Sequence, residues 1–151
     1  MNVITTADSV AALINSRLSA INIVAGYATD IGLRVFEGRL AIDDSQVPCC
    51  SLIEGSDQVQ SRPGRLPSAQ IVQSYAIVAY VHCDADKPNT AARLAIRDIK
   101  RAIFQSDATF GGQVRLVTYK GRNIGPRADG AKIVMAIVEI DVEYVEDLLN
   151  P

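Results

Sequence analysis

The sequence predicts an α+β fold in which a mainly antiparallel sheet of about five strands carries two helices on one face. Apolar residues recur at helical spacing in two segments. Three strand-like segments lie between them and two more follow, giving the order α-β-β-β-α-β-β. Because helices and strands do not alternate strictly, a doubly wound parallel sheet is disfavoured. The length of 151 residues predicts a single domain over 1–151.

The first helix is predicted over about Thr6 to Ala25. Thr5, Thr6 and Asp8 offer an N-cap and an acidic residue in the first turn. Apolar residues follow at helical spacing, and Gly26 is the predicted stop.

The second helix has Pro88 in its first turn, Asp86 or Asn89 as its N-cap, and its end near Gln105. Its spacing predicts one apolar face that packs on the core. The residues of that face are Ala92, Ala95, Ile96, Ile99, Ala102 and Ile103.

Five segments have the character of strands. They are Leu33–Glu37, Pro48–Glu54, Gln70–Cys83, Gln113–Tyr119 and Ala131–Glu146. Residues 38–47 are polar and acidic, and we expect them to form a hairpin loop between the first two strands. Glycine and proline predict flexible loops over about 55–69 and 120–130.

The last strand has the clearest pattern in the chain. Residues 133–138 are apolar without a break, and Glu139, Asp141 and Glu143 then alternate with apolar residues. Since successive side chains point to opposite faces, the pattern predicts a strand that is first buried on both faces and then exposes one acidic face.

Composition limits the possible functions. The net charge is −2 and tryptophan is absent, which argues against a protein-wide surface for DNA or RNA. No apolar run reaches the about 18–20 residues of a membrane span, and we identify no signal peptide. Cys49, Cys50 and Cys83 have no disulfide-framework spacing and are expected to be reduced thiols.

We expect no catalytic, cofactor or metal site from the residue patterns. His82 and Cys83 point to opposite faces of a strand, and neither CxxC nor HxxxH spacing is present. No glycine-rich phosphate loop lies between a strand and a helix. We therefore predict a protein that is not an enzyme. The enzymatic alternative is a small hydrolase or transferase that uses Cys83 or His82.

Charge patterns indicate surfaces that contact other protein subunits. A basic stripe on the second helix (Arg93, Arg97, Lys100 and Arg101) lies opposite its core face. An acidic row on the last strand (Glu139, Asp141 and Glu143) has a spacing of about 7 Å. Two different complementary patches suit a head-to-tail homo-oligomer, although both could simply face water. Arg17, inside the apolar stripe of the first helix, either lies over the core edge or pairs across a subunit boundary.

Six segments carry a resemblance to a known family. They are Ala11–Leu18, Val35–Arg39, Val47–Glu54, His82–Asp86, Asn89–Phe104, and a closing hairpin from Tyr119–Arg122 to Val142–Asp147. In order and character they resemble the tail terminator proteins (minor tail protein U-like) of long-tailed bacteriophages, and the resemblance covers the whole chain.

This resemblance implies a structural virion protein without catalytic residues or a cofactor. Such proteins form a ring, commonly a hexamer, at the head-proximal end of the tail tube and end tube polymerisation. The implied partners are other copies of the chain, the tail tube protein and a head-completion or connector protein. No membrane and no specific nucleic acid is implied, although DNA passes through the lumen.

The implied location is the virion, after synthesis in the cytoplasm of the bacterial host. Arg62, Arg65 and Arg122 lie in the two predicted loops and could line the lumen, so they are assembly-loop candidates. We expect these loops to become ordered only in the ring, which would suppress premature polymerisation. Alternative interpretations are another neck or connector protein, or a small ligand-binding domain of ferredoxin-like type.

Overall fold

The computed structural model describes residues 3–61, 67–105 and 107–151. Its helices and strands are α1 (Thr6–Ser19), β1 (Val35–Glu37), β2 (Cys49–Ser61), β3 (Ser68–His82), α2 (Pro88–Phe104), β4 (Leu116–Ile124) and β5 (Ile133–Asp147). Short 3-10 helices span Ile31–Leu33 and Asp44–Gln46. Within these residues the α+β prediction is confirmed: one sheet of order β1-β2-β3-β5-β4 carries both helices on one face.

Helix α1 begins where predicted but ends earlier. Its N-cap is Thr5, which forms a capping box with Asp8. The helix stops at Ser19 instead of Ala25 because the 3-10 helix Ile31–Leu33 packs against its end. Gly32 donates its N–H to the Ile21 carbonyl at 2.9 Å, and a Cβ at Gly32 would lie 2.3 Å from the Leu18 carbonyl oxygen. This close approach requires glycine.

The predicted hairpin between the first two strands is wrong. Strand β1 pairs in parallel with β2, with Val35 opposite Cys50 and Glu37 opposite Leu52. Residues 38–48 therefore carry the chain back along the sheet before β2 starts. The remaining neighbours are antiparallel, so the sheet is mainly antiparallel as expected.

Two of the predicted loops are partly strands. Strand β2 continues to Ser61, with a shift in register between Glu54 and Asp57, and β3 starts at Ser68. Residues 54–60 are exposed, so their polar side chains can face water while the backbone pairs with β3. Strand β4 likewise runs through Gly121, whose φ of 141° accommodates a register shift between Tyr119 and Gly121. Residues 125–132 are left as the connection to β5.

The core lies between the helices and one face of the sheet, which we call the closed face. All six core-facing residues predicted for α2 are buried, as are Val10, Ile14 and Leu18 of α1. Strand β5 contributes alternate residues that are at most 4% exposed: Val134, Ala136, Val138, Ile140, Val142 and Tyr144.

The opposite face of the sheet, which we call the open face, has no helix over it within the described residues. Ile133, Met135 and Ile137 of β5 point to this face and are only partly buried. The prediction that the first half of β5 is buried on both faces is therefore wrong, because both helices pack on the other side.

Candidate assembly surfaces

The basic stripe is divided by contacts within the subunit. The Lys100 ammonium lies 4.4 Å from the centre of the Tyr119 ring on β4. The Arg101 guanidinium lies over the Tyr27 ring at 4.6 Å and donates to the Gly26 carbonyl at 2.9 Å. These two cations hold α2 to its neighbours and are poorly placed to bind another subunit.

The other half of the stripe faces solvent. Arg93 is exposed, and no polar partner of its side chain is present in the described part of the chain. The Arg97 side chain is 61% exposed, and its closest charged atom is Asp98 Oδ1 at 3.8 Å. Arg93 and Arg97 lie one turn apart on the same side of α2 as Lys100, which contacts β4. They form the part of the stripe that remains available to a partner.

The acidic row lies on the open face and is partly neutralised. Glu139 is exposed, whereas the Asp141 carboxylate accepts a hydrogen bond from the Ser74 hydroxyl at 2.9 Å. Asp141 also lies 3.7 Å from the Lys120 ammonium. Together with Ile53 and Val72, these residues line an open depression of about 490 Å³. The row and the stripe are thus on opposite sides of the molecule and cannot meet within one subunit.

Arg17 is accounted for by contacts within the chain. Its guanidinium donates to the carbonyl oxygens of Gln105 at 2.6 Å and Ile103 at 3.4 Å, and it lies 4.9 Å from the Phe110 ring centre. The last carbonyls of a helix lack intrahelical partners, and a cation there also interacts favourably with the negative end of the helix dipole. Arg17 therefore joins α1 to the C-terminus of α2, which explains its position without a second subunit.

The assembly-loop candidates are only partly described. Arg122 is exposed, but it lies on β4 and not in a loop. Arg62 and Arg65 are outside the described residues.

Asp98 was not identified from the sequence, although it is fully buried in α2. Its carboxylate accepts hydrogen bonds from the N–H groups of Ala28 (3.0 Å) and Thr29 (2.8 Å) and from the Thr29 hydroxyl (2.7 Å). These bonds attach the segment after α1 to the middle of α2. The signal was its position within the apolar stripe, three residues after Ala95 and four before Ala102.

A second feature that was missed is a pocket at the β1–β2 edge of the closed face, which we call the edge pocket. It has a volume of about 440 Å³. It opens between the start of α1, the end of β1 and the part of β2 that precedes the register shift after Glu54. Three carboxylates line it, those of Asp8, Glu37 and Glu54, and Tyr75 of β3 lines its buried side. The only sequence signal was that the first two predicted strands both end in glutamate.

Two buried polar atoms near the edge pocket have no hydrogen-bond partner among the residues that the structure describes. One is the Tyr75 hydroxyl, whose residue is 2% exposed, and the other is Asn15 Oδ1. Burial raises the pKa of Tyr75, and the negative charges of Glu54 and, more weakly, Glu37 add to the rise. The Asn15 amide nitrogen donates to Glu37 Oε1, so both unpaired atoms are close to the carboxylates.

The three thiols are not paired with each other. Burial raises the pKa of Cys50 to about 12 and also raises that of Cys49, so both stay protonated at neutral pH. The ring of His82 contacts the Val47 carbonyl at 3.2 Å through Nε2. This geometry does not pair the histidine with either buried thiol.

Among the described residues, neither helix is long and apolar enough to cross a bilayer. The same residues contain no group of three or more histidine, cysteine, aspartate or glutamate side chains placed to hold a metal ion. The chain matches no protein-family model and no curated protein.

Proposed function

We propose that this protein is a tail terminator of a long-tailed phage, which caps the tail tube as a ring of identical subunits and offers a surface to head-completion proteins. The observation that carries the proposal is the presence of unlike charged surfaces far apart on one small subunit. Arg93 and Arg97 project from the helix layer near β4, and carboxylates lie both on the open face and at the β1–β2 edge.

Unlike patches at separate places favour head-to-tail association. When each subunit uses one patch to bind the other patch of its neighbour, the contacts repeat around an axis and close into a ring if the rotation permits. Charge pairs across such a contact contribute mainly to orientation and partner choice. The resemblance in segment order supplies the phage context, and the charge distribution supports the ring.

The open face supports contacts with further proteins. It carries partly exposed apolar residues, among them Ile133, Met135 and Ile137, beside the charged acidic row. Partly exposed apolar residues that share one sheet face and are bordered by polar residues suit a site that binds other proteins. A terminator needs such surfaces because it contacts the tube and the head-completion proteins as well as its own copies.

The proposal is tested by removing the gene and by measuring the mass of the purified protein. Electron microscopy of tails assembled without the protein should show tubes of abnormal length, and light scattering after size exclusion should detect a closed oligomer. Tails of normal length would refute the terminator function. Normal-length tails that fail to join heads, together with rings, would instead identify a neck-completion protein.

A charge-reversal experiment tests the basic side. Arg93→Glu with Arg97→Glu should weaken ring formation while the subunit stays folded, because neither side chain has a strong contact in its own subunit. Lys100 is left intact since it stacks on Tyr119. A matched control is Arg34→Glu with Lys132→Glu, which makes the same change in net charge at exposed positions elsewhere. Equal effects of the two variants would show that only net charge matters.

A further inference from the structure

The edge pocket has the charge of a cation-binding site, and no cationic side chain of the described residues fills it. Asp8, Glu37 and Glu54 contribute three carboxylates, and no lysine or arginine of the described residues forms an ion pair with any of them. Asp8 is partly engaged because its Oδ2 accepts from the Thr5 N–H and hydroxyl. Glu54 is exposed and has no such partner, so it is the carboxylate most available to an incoming cation.

The hydroxyl of Tyr75 gives a second, independent indication of a ligand. Tyr75 is buried and lines the same pocket, and its hydroxyl makes no hydrogen bond to any part of the chain that the structure describes. A buried polar group without a partner is costly, and most such groups in folded proteins are satisfied. A donor that enters the pocket could bond to the Tyr75 oxygen and to the carboxylates together. Asn15 Oδ1, also unpaired, offers another acceptor near Glu37.

We propose that the edge pocket receives an arginine side chain from α2 of a second copy of this chain. The inference rests on the self-association in the proposed function and specifies the contact. A guanidinium is planar and carries several N–H donors in a fixed arrangement, which suits a site with more than one carboxylate and a neutral acceptor. Arg93 and Arg97 are the exposed arginines of α2 that remain without a strong partner in their own subunit.

The position of the two surfaces determines the type of interface. The edge pocket lies beside β1 and β2. The side of α2 that carries Arg93 and Arg97 lies next to β4 instead, because Lys100 on the same side contacts Tyr119 of β4. Strands β1 and β4 are the two edges of the sheet, so pocket and arginines are at opposite ends of the strand order. Arg93 and Arg97 of one subunit are therefore too far away to enter the edge pocket of the same subunit. A two-fold dimer would need both opposite edges in one contact, so the pairing is head-to-tail and continues from subunit to subunit.

The test is an exchange of charges between the two surfaces. Glu54→Arg alone and Arg97→Glu alone should each weaken association by about tenfold or more, because each places like charges together. The two changes combined in one chain should restore association to within a few-fold of the unmodified protein. The readout is the oligomer population against protein concentration, measured by light scattering. Failure of the combined variant to recover, tried also with Arg93→Glu in place of Arg97→Glu, would overturn the inference.

Tyr75→Phe separates binding from folding. Removing an unpaired buried hydroxyl should leave the stability of the subunit unchanged or raised, while association weakens because the guanidinium loses an acceptor. A purely structural Tyr75 would not produce that combination. If Tyr75→Phe leaves association unchanged, the hydroxyl is not used and the proposed contact is wrong.

Glu139→Arg is the matched control on the acidic row, and the inference predicts that it affects association much less than Glu54→Arg. The reverse result would show that the arginine of the neighbouring subunit binds the acidic row. It would refute the inference about the edge pocket but not the proposed ring. If the unmodified protein stays monomeric at every concentration, the proposed function fails together with the inference. A ring that forms normally in the Glu54→Arg variant overturns the inference alone.

Discussion

The two faces of strand β5 have opposite environments although they belong to the same fifteen residues. Residues that point to the closed face are almost inaccessible to solvent, with Val138 and Val142 at 0% and Ile140 at 1%. Residues on the open face alternate with them and stay partly or fully exposed, including Ile137 and Glu139. The closed face of β5 therefore contributes more to the stability of the fold than its open face, where packing constrains the side chains less.

A matched pair of substitutions in β5 gives the most direct test of this difference and the largest expected effect. Ile140→Ala removes closed-face packing and should lower the free energy of unfolding by about 3–4 kcal/mol. Ile137→Ala, three residues away on the partly exposed face, should lower it by about 1 kcal/mol. Chemical denaturation of the subunit measures both values. Similar losses would mean that the open face is as important to the fold as the closed face.

The next largest effect is expected at Asp98, the buried acid of α2. Asp98→Ala should cost about 3 kcal/mol because it leaves two backbone N–H groups and the Thr29 hydroxyl without their acceptor. Arg97→Ala is the control, since an exposed ion pair at 3.8 Å should contribute less than about 0.5 kcal/mol. Thermal unfolding of the two variants compares them. A large loss for Arg97→Ala would show that the ion pair, and not the hydrogen bonds, holds this region.

The smallest effect is expected at the capping box, where the helix layer meets solvent. Thr5→Ala should cost about 1 kcal/mol through loss of the hydrogen bond from the Asp8 N–H. The Thr5 N–H and then its hydroxyl hold the pKa of Asp8 below its usual value of 3.8. The stabilising effect of ionised Asp8 is therefore complete above pH 3.8 and is lost as the pH falls through the lower pKa of the folded state.

The pH dependence can be isolated with Asp8→Asn. Its stability relative to the unmodified protein should be lowest at neutral pH, and the difference should shrink once the pH falls below 3.8. Denaturation curves over a pH series measure this difference. A difference that grows on acidification would contradict the lowered pKa.

Periodicity predicted the parts of the fold that depend on local pattern. The six apolar positions of α2 follow from helical spacing, and N-cap chemistry indicated a cap at Thr5 or Thr6. The structure confirms the six positions and places the cap at Thr5, whose capping box with Asp8 was not predicted. The direction of β1 could not be derived, because it depends on how residues 38–48 cross the molecule. The extension of β2 beyond Glu54 was also hidden, since exposed polar residues in a paired strand leave no apolar alternation.

The candidate site was less predictable than the fold. The spacing of the basic residues predicted the basic stripe. It could not predict that Lys100 and Arg101 are engaged within the subunit, because tertiary packing brings Tyr119 and Tyr27 to the helix. The edge pocket collects residues from α1, β1, β2 and β3, and only Glu37 and Glu54, which end two predicted strands, gave a signal. Asp98 was detectable, because a carboxylate inside an apolar helical stripe needs buried donors.

The alternation along β5 also protects the chain against misfolding. A slip of one residue against β3 would turn Glu139, Asp141 and Glu143 towards the helices and move Ile140, Val142 and Tyr144 into water. Burial of three unpaired carboxylates would destabilise such a mispaired sheet far more than a few lost hydrogen bonds. The carboxylates to which the proposed function gives a role in binding other proteins thus also help to fix the alignment of β5 with β3 during folding.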